Sequence, residues 1–187
     1  MDLDTALASR RSVRDYAAEP VDEATIRHLI GAAVLAPSAT NGQPWTFLVV
    51  RDRALLDRLS AETKAYLLAG ALPEGPGVER RRVRLADPDY QIFHHAPVLI
   101  LISGSASDRW VVEDCSLAAE NLMLAAAALG LGTCWIGYAQ RYLETAAGRA
   151  LVGLPGEVLP VAPIVVGHPR TVPGPTDRRE PEIRWLG

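Results

Sequence analysis

Cysteine is nearly missing from this chain: Cys115 and Cys134 are the two in 187 residues. Two thiols without a secretory context ordinarily stay reduced, so a disulfide scaffold is not expected, and they are too sparse for a thiolate metal site. Histidine is also scarce, with four in the chain. His94 and His95 are adjacent and fall on different sides of most elements, while His28 and His168 stand alone, so metal-ligand spacing is absent. No run of about 20 uncharged apolar residues exists, which excludes a membrane-spanning helix. The opening Met1-Asp2-Leu3-Asp4 is acidic and lacks the apolar run of a leader, so a cytoplasmic protein is expected. There is no Gly-x-x-x-x-Gly-Lys-Ser phosphate loop, no strand followed by Gly-x-Gly-x-x-Gly, and no Gly-x-Ser-x-Gly elbow. Internal repeats are absent too. A chain with neither an evident nucleophile nor a metal points to a cofactor that brings its own chemistry.

What is present is ample apolar material and two local basic clusters. Hydrophobic residues make up 49% and charged ones 22%, enough for a proper core in one domain spanning residues 1–187. The net charge of −3 argues against a nucleic-acid partner. The positive charge is instead concentrated in Arg10-Arg11-Ser12-Val13-Arg14 and in Arg178-Arg179. Guanidinium forks and a short hydroxyl suit phosphate or carboxylate oxygens, so a small anion is the expected ligand if the termini meet. Taken alone, each cluster also reads as a solvated basic patch.

Along the chain, helical and strand patterns alternate. Asp4–Ser9 reads as a short helix, and Asp22 caps an amphipathic helix over Glu23–Leu35 that Pro37 ends. Thr46–Val50 reads as a buried strand. Asp52 caps a third helix with Leu55, Leu56, Leu59, Tyr66 and Leu67 as apolar positions. Residues 71–88 carry Pro-Glu-Gly-Pro-Gly and the charged run Glu79–Arg84, and read as a mobile excursion or lid whose arginines form a solvated face. Pro97–Ile102 suits a central strand. Asp108–Leu129 is the longest helical pattern, apolar on nearly every side from Leu117 onward, as a helix buried all round or between two subunits would be. Thr133–Ile136 is a short strand, Gln140–Val152 a helix, Val161–Val166 a last strand, and 168–187 an arm whose Glu182–Gly187 is placed as an edge strand. The class is α/β or α+β, with a mixed sheet sandwiched by helices.

Residues 36–45 read Ala-Pro-Ser-Ala-Thr-Asn-Gly-Gln-Pro-Trp, a loop with Ser38, Asn41 and Gln43 beside Trp45. Amides that both donate and accept suit a heterocycle with alternating donors and acceptors; an ordinary turn uses the same residues.

Together these stretches resemble the nitroreductase family of FMN-dependent oxidoreductases. Arg10–Arg14 with Tyr16, the Pro-Ser-x-x-Asn-x-Gln-Pro-Trp loop, the run Gly130-Leu131-Gly132-Thr133-Cys134-Trp135-Ile136-Gly137 after Asn121-Leu122, and Gly167-x-Pro169 with its proline-rich arm occur in family order over the whole chain. The resemblance implies an α+β fold, an α/β/α sandwich with a mainly antiparallel central sheet, assembled as an intertwined homodimer with FMN at the interface. It implies that Arg10 and Ser12 hold the FMN phosphate with Arg11 nearby, joined by Arg179 and less readily Arg178. Arg14 would face the pyrimidine edge and favour charge at N1/O2. Pro37, Ser38, Ala39, Asn41 and Gln43 would approach the flavin from the second subunit, and Ile136 and Gly137 would lie along the ring near N5. NADH or NADPH would be the reductant and a nitroaromatic, quinone or similar electrophile the acceptor, in a ping-pong cycle without a named catalytic side chain. Tyr66, Tyr90 and Phe93 are candidates for the acceptor pocket, with ordinary packing the alternative. A dehalogenase, a flavin-consuming enzyme, an azoline dehydrogenase or a binding module without turnover are the other readings.

Overall fold

The computed structural model describes all 187 residues. Seven α-helices and four strands follow one another as α1 (Leu3–Ser9), α2 (Glu23–Ala33), β1 (Trp45–Val50), α3 (Arg53–Tyr66), α4 (Val78–Ala86), β2 (Val98–Ser105), α5 (Val111–Ala128), β3 (Gly132–Trp135), α6 (Gly137–Leu143), α7 (Ala146–Val152) and β4 (Val158–Gly167). Asp2, Asp22 and Asp52 each accept a hydrogen bond from the backbone N–H three residues on, which satisfies one of the orphan donors of α1, α2 and α3.

The strands form one sheet in the order β1-β2-β4-β3, with every neighbouring pair antiparallel. The parallel component of the expected mixed sheet is reduced to an isolated bridge between Ser12 and Thr133. Strand alternation divides the core in two. Val98, Ile100, Ile102, Ile164 and Val166 pack with Leu29 and Ala33 of α2 and Ala118 and Leu122 of α5. Leu99, Leu101, Cys134 and Val165 point the other way, onto Leu56 and Leu59 of α3, Leu85 of α4 and Leu143 of α6. Because both faces are covered, β2 reads as an unbroken apolar run. The result is an α/β/α sandwich.

Four sequence expectations need revision. Residues 71–88 are not simply an excursion: Val78–Ala86 is a helix whose Leu85 is fully buried, and Arg81 ties the preceding turn down through Pro76 O at 2.8 Å and Pro73 O at 2.9 Å. Gln140–Val152 is two helices, because the Thr145 hydroxyl accepts from Gly148 N at 3.0 Å and starts a new one. Thr46–Val50 lies at the sheet edge and is only partly buried. Glu182–Gly187 forms no strand; the arm from Thr171 onward is exposed, and an edge strand needs a neighbour that this chain does not offer it.

Candidate functional site

The basic segment at residues 10–14 leaves α1 in extended conformation and lies along the end of the sheet. Val13 N donates to Thr133 O at 2.9 Å, Ala17 N to His168 O at 2.9 Å and Arg170 N to Asp15 O at 2.9 Å. Val13 is buried against Gly132, where an added Cβ would come within 2.8 Å of it, so glycine is what lets the two backbones approach. The buried Tyr16 hydroxyl donates to Val13 O at 2.8 Å and closes the segment on itself. Side chains alternate along extended backbone, so Arg10, Ser12 and Arg14 share the register opposite Val13. At about 3.3 Å per residue, Arg10 and Arg14 are about 13 Å apart along the chain.

The three arginines have different surroundings. Half-buried Arg10 pairs with Glu120 of α5 at 3.4 Å. Arg11 is spent on carbonyl oxygens, Ala8 O at 2.7 Å, Arg10 O at 2.8 Å and Gly174 O at 3.1 Å, which fastens the start of the C-terminal arm to the N-terminal segment. Arg14 has no carboxylate partner; its one hydrogen bond runs to Ser12 O at 3.3 Å. Arg178 and Arg179 lie further along the exposed arm, beyond Gly174.

Arg14 borders two adjoining cavities of about 560 Å³ and 500 Å³, which also share Arg84, Tyr90 and His94. The larger is floored by Cys134, Ile136 and Gly137 at the end of β3 and ringed by Arg81, Arg84 and Arg141, with Glu74 its sole acid. The segment carrying Tyr90 and His94 is fixed to α3: Lys64 donates to Asp87 O at 2.6 Å and Tyr90 O at 2.7 Å, and Ile92 N donates to the buried Ser60 hydroxyl at 3.0 Å. Burial, reinforced by the charges of Arg14, Arg84 and His95, pushes His94 down to about 4, so its ring is neutral at pH 7. Burial also raises the Cys134 thiol, with Arg14 and Ser12 opposing it, so this is no activated thiolate.

The loop at 37–43 sits elsewhere. Thr40, Asn41 and Gln43 adopt positive φ, stabilised by Gln43 N donating to the Ser38 hydroxyl at 3.0 Å and by the Gln43 side-chain amide donating to Asn41 Oδ1 at 3.2 Å. Ala39 N donates to the buried Asp114 carboxylate at 3.1 Å, anchoring the loop to the first turn of α5. Arg10 and Arg11 line a small cleft with Ala127, at the other end of that helix. At 1.5 Å per residue, Glu120 and Ala127 lie about 9 Å and about 20 Å along the helix from Asp114. Pro37, Asn41 and Gln43 are exposed and stand apart from Arg14, Ile136 and Gly137 of the same chain.

Of the aromatic candidates, Tyr90 lines both cavities, Tyr66 packs beside Tyr142 with ring centroids 5.8 Å apart and borders neither cavity, and Phe93 is fully buried in the core. Arg84, His94, Tyr138 and Arg141, which the sequence does not single out as site residues, also line the larger cavity. The 81/84 spacing on one helical face, one residue before the buried Leu85, was the available signal.

Fold and cleft together define an α/β/α protein with a cationic pocket at one end of its antiparallel sheet. The nitroreductase family model matches residues 7–168, and the chain belongs to that family. It is 35% identical over 162 residues to an Archaeoglobus fulgidus protein named for NADH dehydrogenase/NAD(P)H nitroreductase activity, covering 87% of this chain and 82% of that one. A Methanothermobacter thermautotrophicus protein of the same name is 32% identical over 186 residues, covering 97% and 85%. The fold matches that of a Bacteroides fragilis nitroreductase with bound FMN, with a TM-score of 0.86, 23% identity and complete coverage of both chains (100% each). No helix is long and apolar enough to cross a membrane.

Proposed function

We propose that this chain is an FMN-dependent oxidoreductase that takes hydride from NADH or NADPH and delivers it to a nitroaromatic, quinone or similar electrophilic acceptor. The observation that carries the reading is Arg14: a guanidinium without a counter-charge, set on an immobilised segment, over a cavity floored by Ile136 and Gly137. Its donor set fits the cofactor. Arg10, now paired with Glu120, and Ser12 would form the anion-binding end of the segment, and about 13 Å further along Arg14 would offer a cation to an electron-rich ring edge. Bound there, FMN supplies the hydride chemistry of both half-reactions in a ping-pong cycle.

The protein's own work is then orientation and electrostatics. Arg14 stabilises negative charge at the N1/O2 edge. Gly137 leaves the approach to the ring open, since no side chain projects there. Neutral His94 adds no further cation to Arg14 and Arg84 at pH 7. The loop carrying Ser38, Asn41 and Gln43 completes the site from a second copy of the chain, because within one copy it is anchored at the far end of α5. Leu3 and Leu7 of α1 and Val112 and Leu117 of α5 are exposed apolar residues that such a homodimer would cover. Arg178 or Arg179, on the same arm as Gly174, would join the phosphate site on assembly.

The test is flavin content and reduction of the purified protein. Release of FMN and bleaching by NADH or NADPH without oxygen support the reading; a protein that binds no FMN when it is supplied defeats it.

A further inference from the structure

Four arginines, Arg14, Arg81, Arg84 and Arg141, border the 560 Å³ cavity, against the single carboxylate of Glu74. None of the four belongs to any of the molecule's ion pairs. Two already have work. Arg81 is held by the carbonyls of Pro73 and Pro76, and Arg14 is assigned to the flavin. Arg84 and Arg141 are left over.

Arg84 lies 4.7 Å over the ring of Tyr90, whose backbone is clamped by Lys64. A guanidinium stacked on a fixed ring is pre-aimed, and its in-plane donors stay free. Arg141 projects from α6, one turn beyond Tyr138 on the same wall of the cavity. Aromatic walls from Tyr90, Trp135 and Tyr138 beside two free guanidinium forks suit a planar ring that bears a carboxylate.

We infer that Arg84 and Arg141 hold the carboxylate of an aromatic electron acceptor, so that the pocket selects acidic acceptors over neutral ones. The proposal rests on the flavin reading for what happens to the acceptor, but binding of the anion does not depend on it.

The test is calorimetric titration of the full-length protein with 4-nitrobenzoate and with its neutral counterpart 4-nitrobenzamide, alongside kcat/KM for both. Wild type should bind the acid at least about tenfold more tightly, with the preference shrinking as salt rises. Arg84→Gln and Arg141→Gln should each lower the acid-to-amide ratio roughly tenfold, in binding and in kcat/KM, as loss of one charge-assisted bond does. Equal affinity for acid and amide in wild type, or losses that fall equally on both in the variants, would overturn the assignment. So would variants that keep the acid preference but lose discrimination between NADPH and NADH, because the anion read would then be the reductant's 2′-phosphate. An acid preference in a protein that takes up no FMN would sink the flavin reading while leaving this one standing. Flavin-loaded protein with no acid preference would do the reverse.

Discussion

Arg14 and His94 illustrate how much of this site is set by single charges. The folded His94 resists protonation because it is buried first and faces Arg14, Arg84 and His95 second, which brings it from an ordinary 6.5 down to about 4. The unfolded chain binds that proton more readily, so the associated stability is complete above pH 6.5 and drains away as pH falls from there toward about 4. His94→Asn, which tolerates the positive φ of 54°, should flatten the stability profile of the flavin-free protein across that window; an unchanged slope would mean that another group governs it. Arg10→Ala should weaken FMN binding by about 1.5–3 kcal/mol, as removal of a charge-assisted bond does, while thermal unfolding of the flavin-free protein stays close to wild type. Unaltered FMN affinity would move the phosphate site away from Arg10. The arginine cluster was legible in the sequence because its members are contiguous. Arg84, His94 and Arg141 were not, because they come from α4, the loop before β2 and α6 and meet only when those elements pack. Tyr90 and Phe93 lie in an irregular turn without a period, so nothing in the sequence tells which faces the cavity and which the core.

Elements with strong local signals were readable. Asp22 and Asp52 announce α2 and α3, and the apolar runs announce β2 and β4. Elsewhere local cues compete. Thr145 caps a new helix inside what reads as one amphipathic pattern, and most of α4 lies in a run that looks too charged to pack, held to the core by Leu85 with Val78 beside it. Close approach is a second element-scale quantity. Gly132→Val would force a branched side chain against Val13, so the segment carrying Ser12 and Arg14 must lift off β3. We expect a loss of about 1–3 kcal/mol in stability by denaturant unfolding together with a loss of bound FMN. The loop at 37–43 has its own tether. Asp114→Ala leaves the half-buried Ala39 N–H without its acceptor and should cost about 1–3 kcal/mol, loosening that loop while leaving the distant residues 10–14 in place. Faster hydrogen exchange at residues 38–43 alone is the expected signature.

At the scale of the molecule, the fold tethers the loop at 37–43 to Asp114 in the first turn of α5 and sets Arg10 against Glu120 further along that helix, and one copy of the chain leaves Leu117, Val112 and Leu7 exposed. The α/β/α arrangement could be anticipated from alternating patterns, and the all-round apolar character of α5 from its composition. Which strands neighbour one another could not, because antiparallel order is decided by long-range pairing. Leu117→Glu puts a charge into the face that a second copy would cover, so it should shift the protein to a monomer by light scattering and lower its FMN content in parallel. A variant that stays dimeric with full flavin would remove Leu117 from the interface. If Arg10–Arg14 and the cavity over Ile136 and Gly137 form a flavin site that turns over, the visible spectrum of the purified protein before and after anaerobic addition of NADPH and then NADH will show it. Flavin absorption that bleaches with at least one of them is the expected result. A spectrum without flavin bands after incubation with FMN, or bands that neither reductant bleaches, would contradict it.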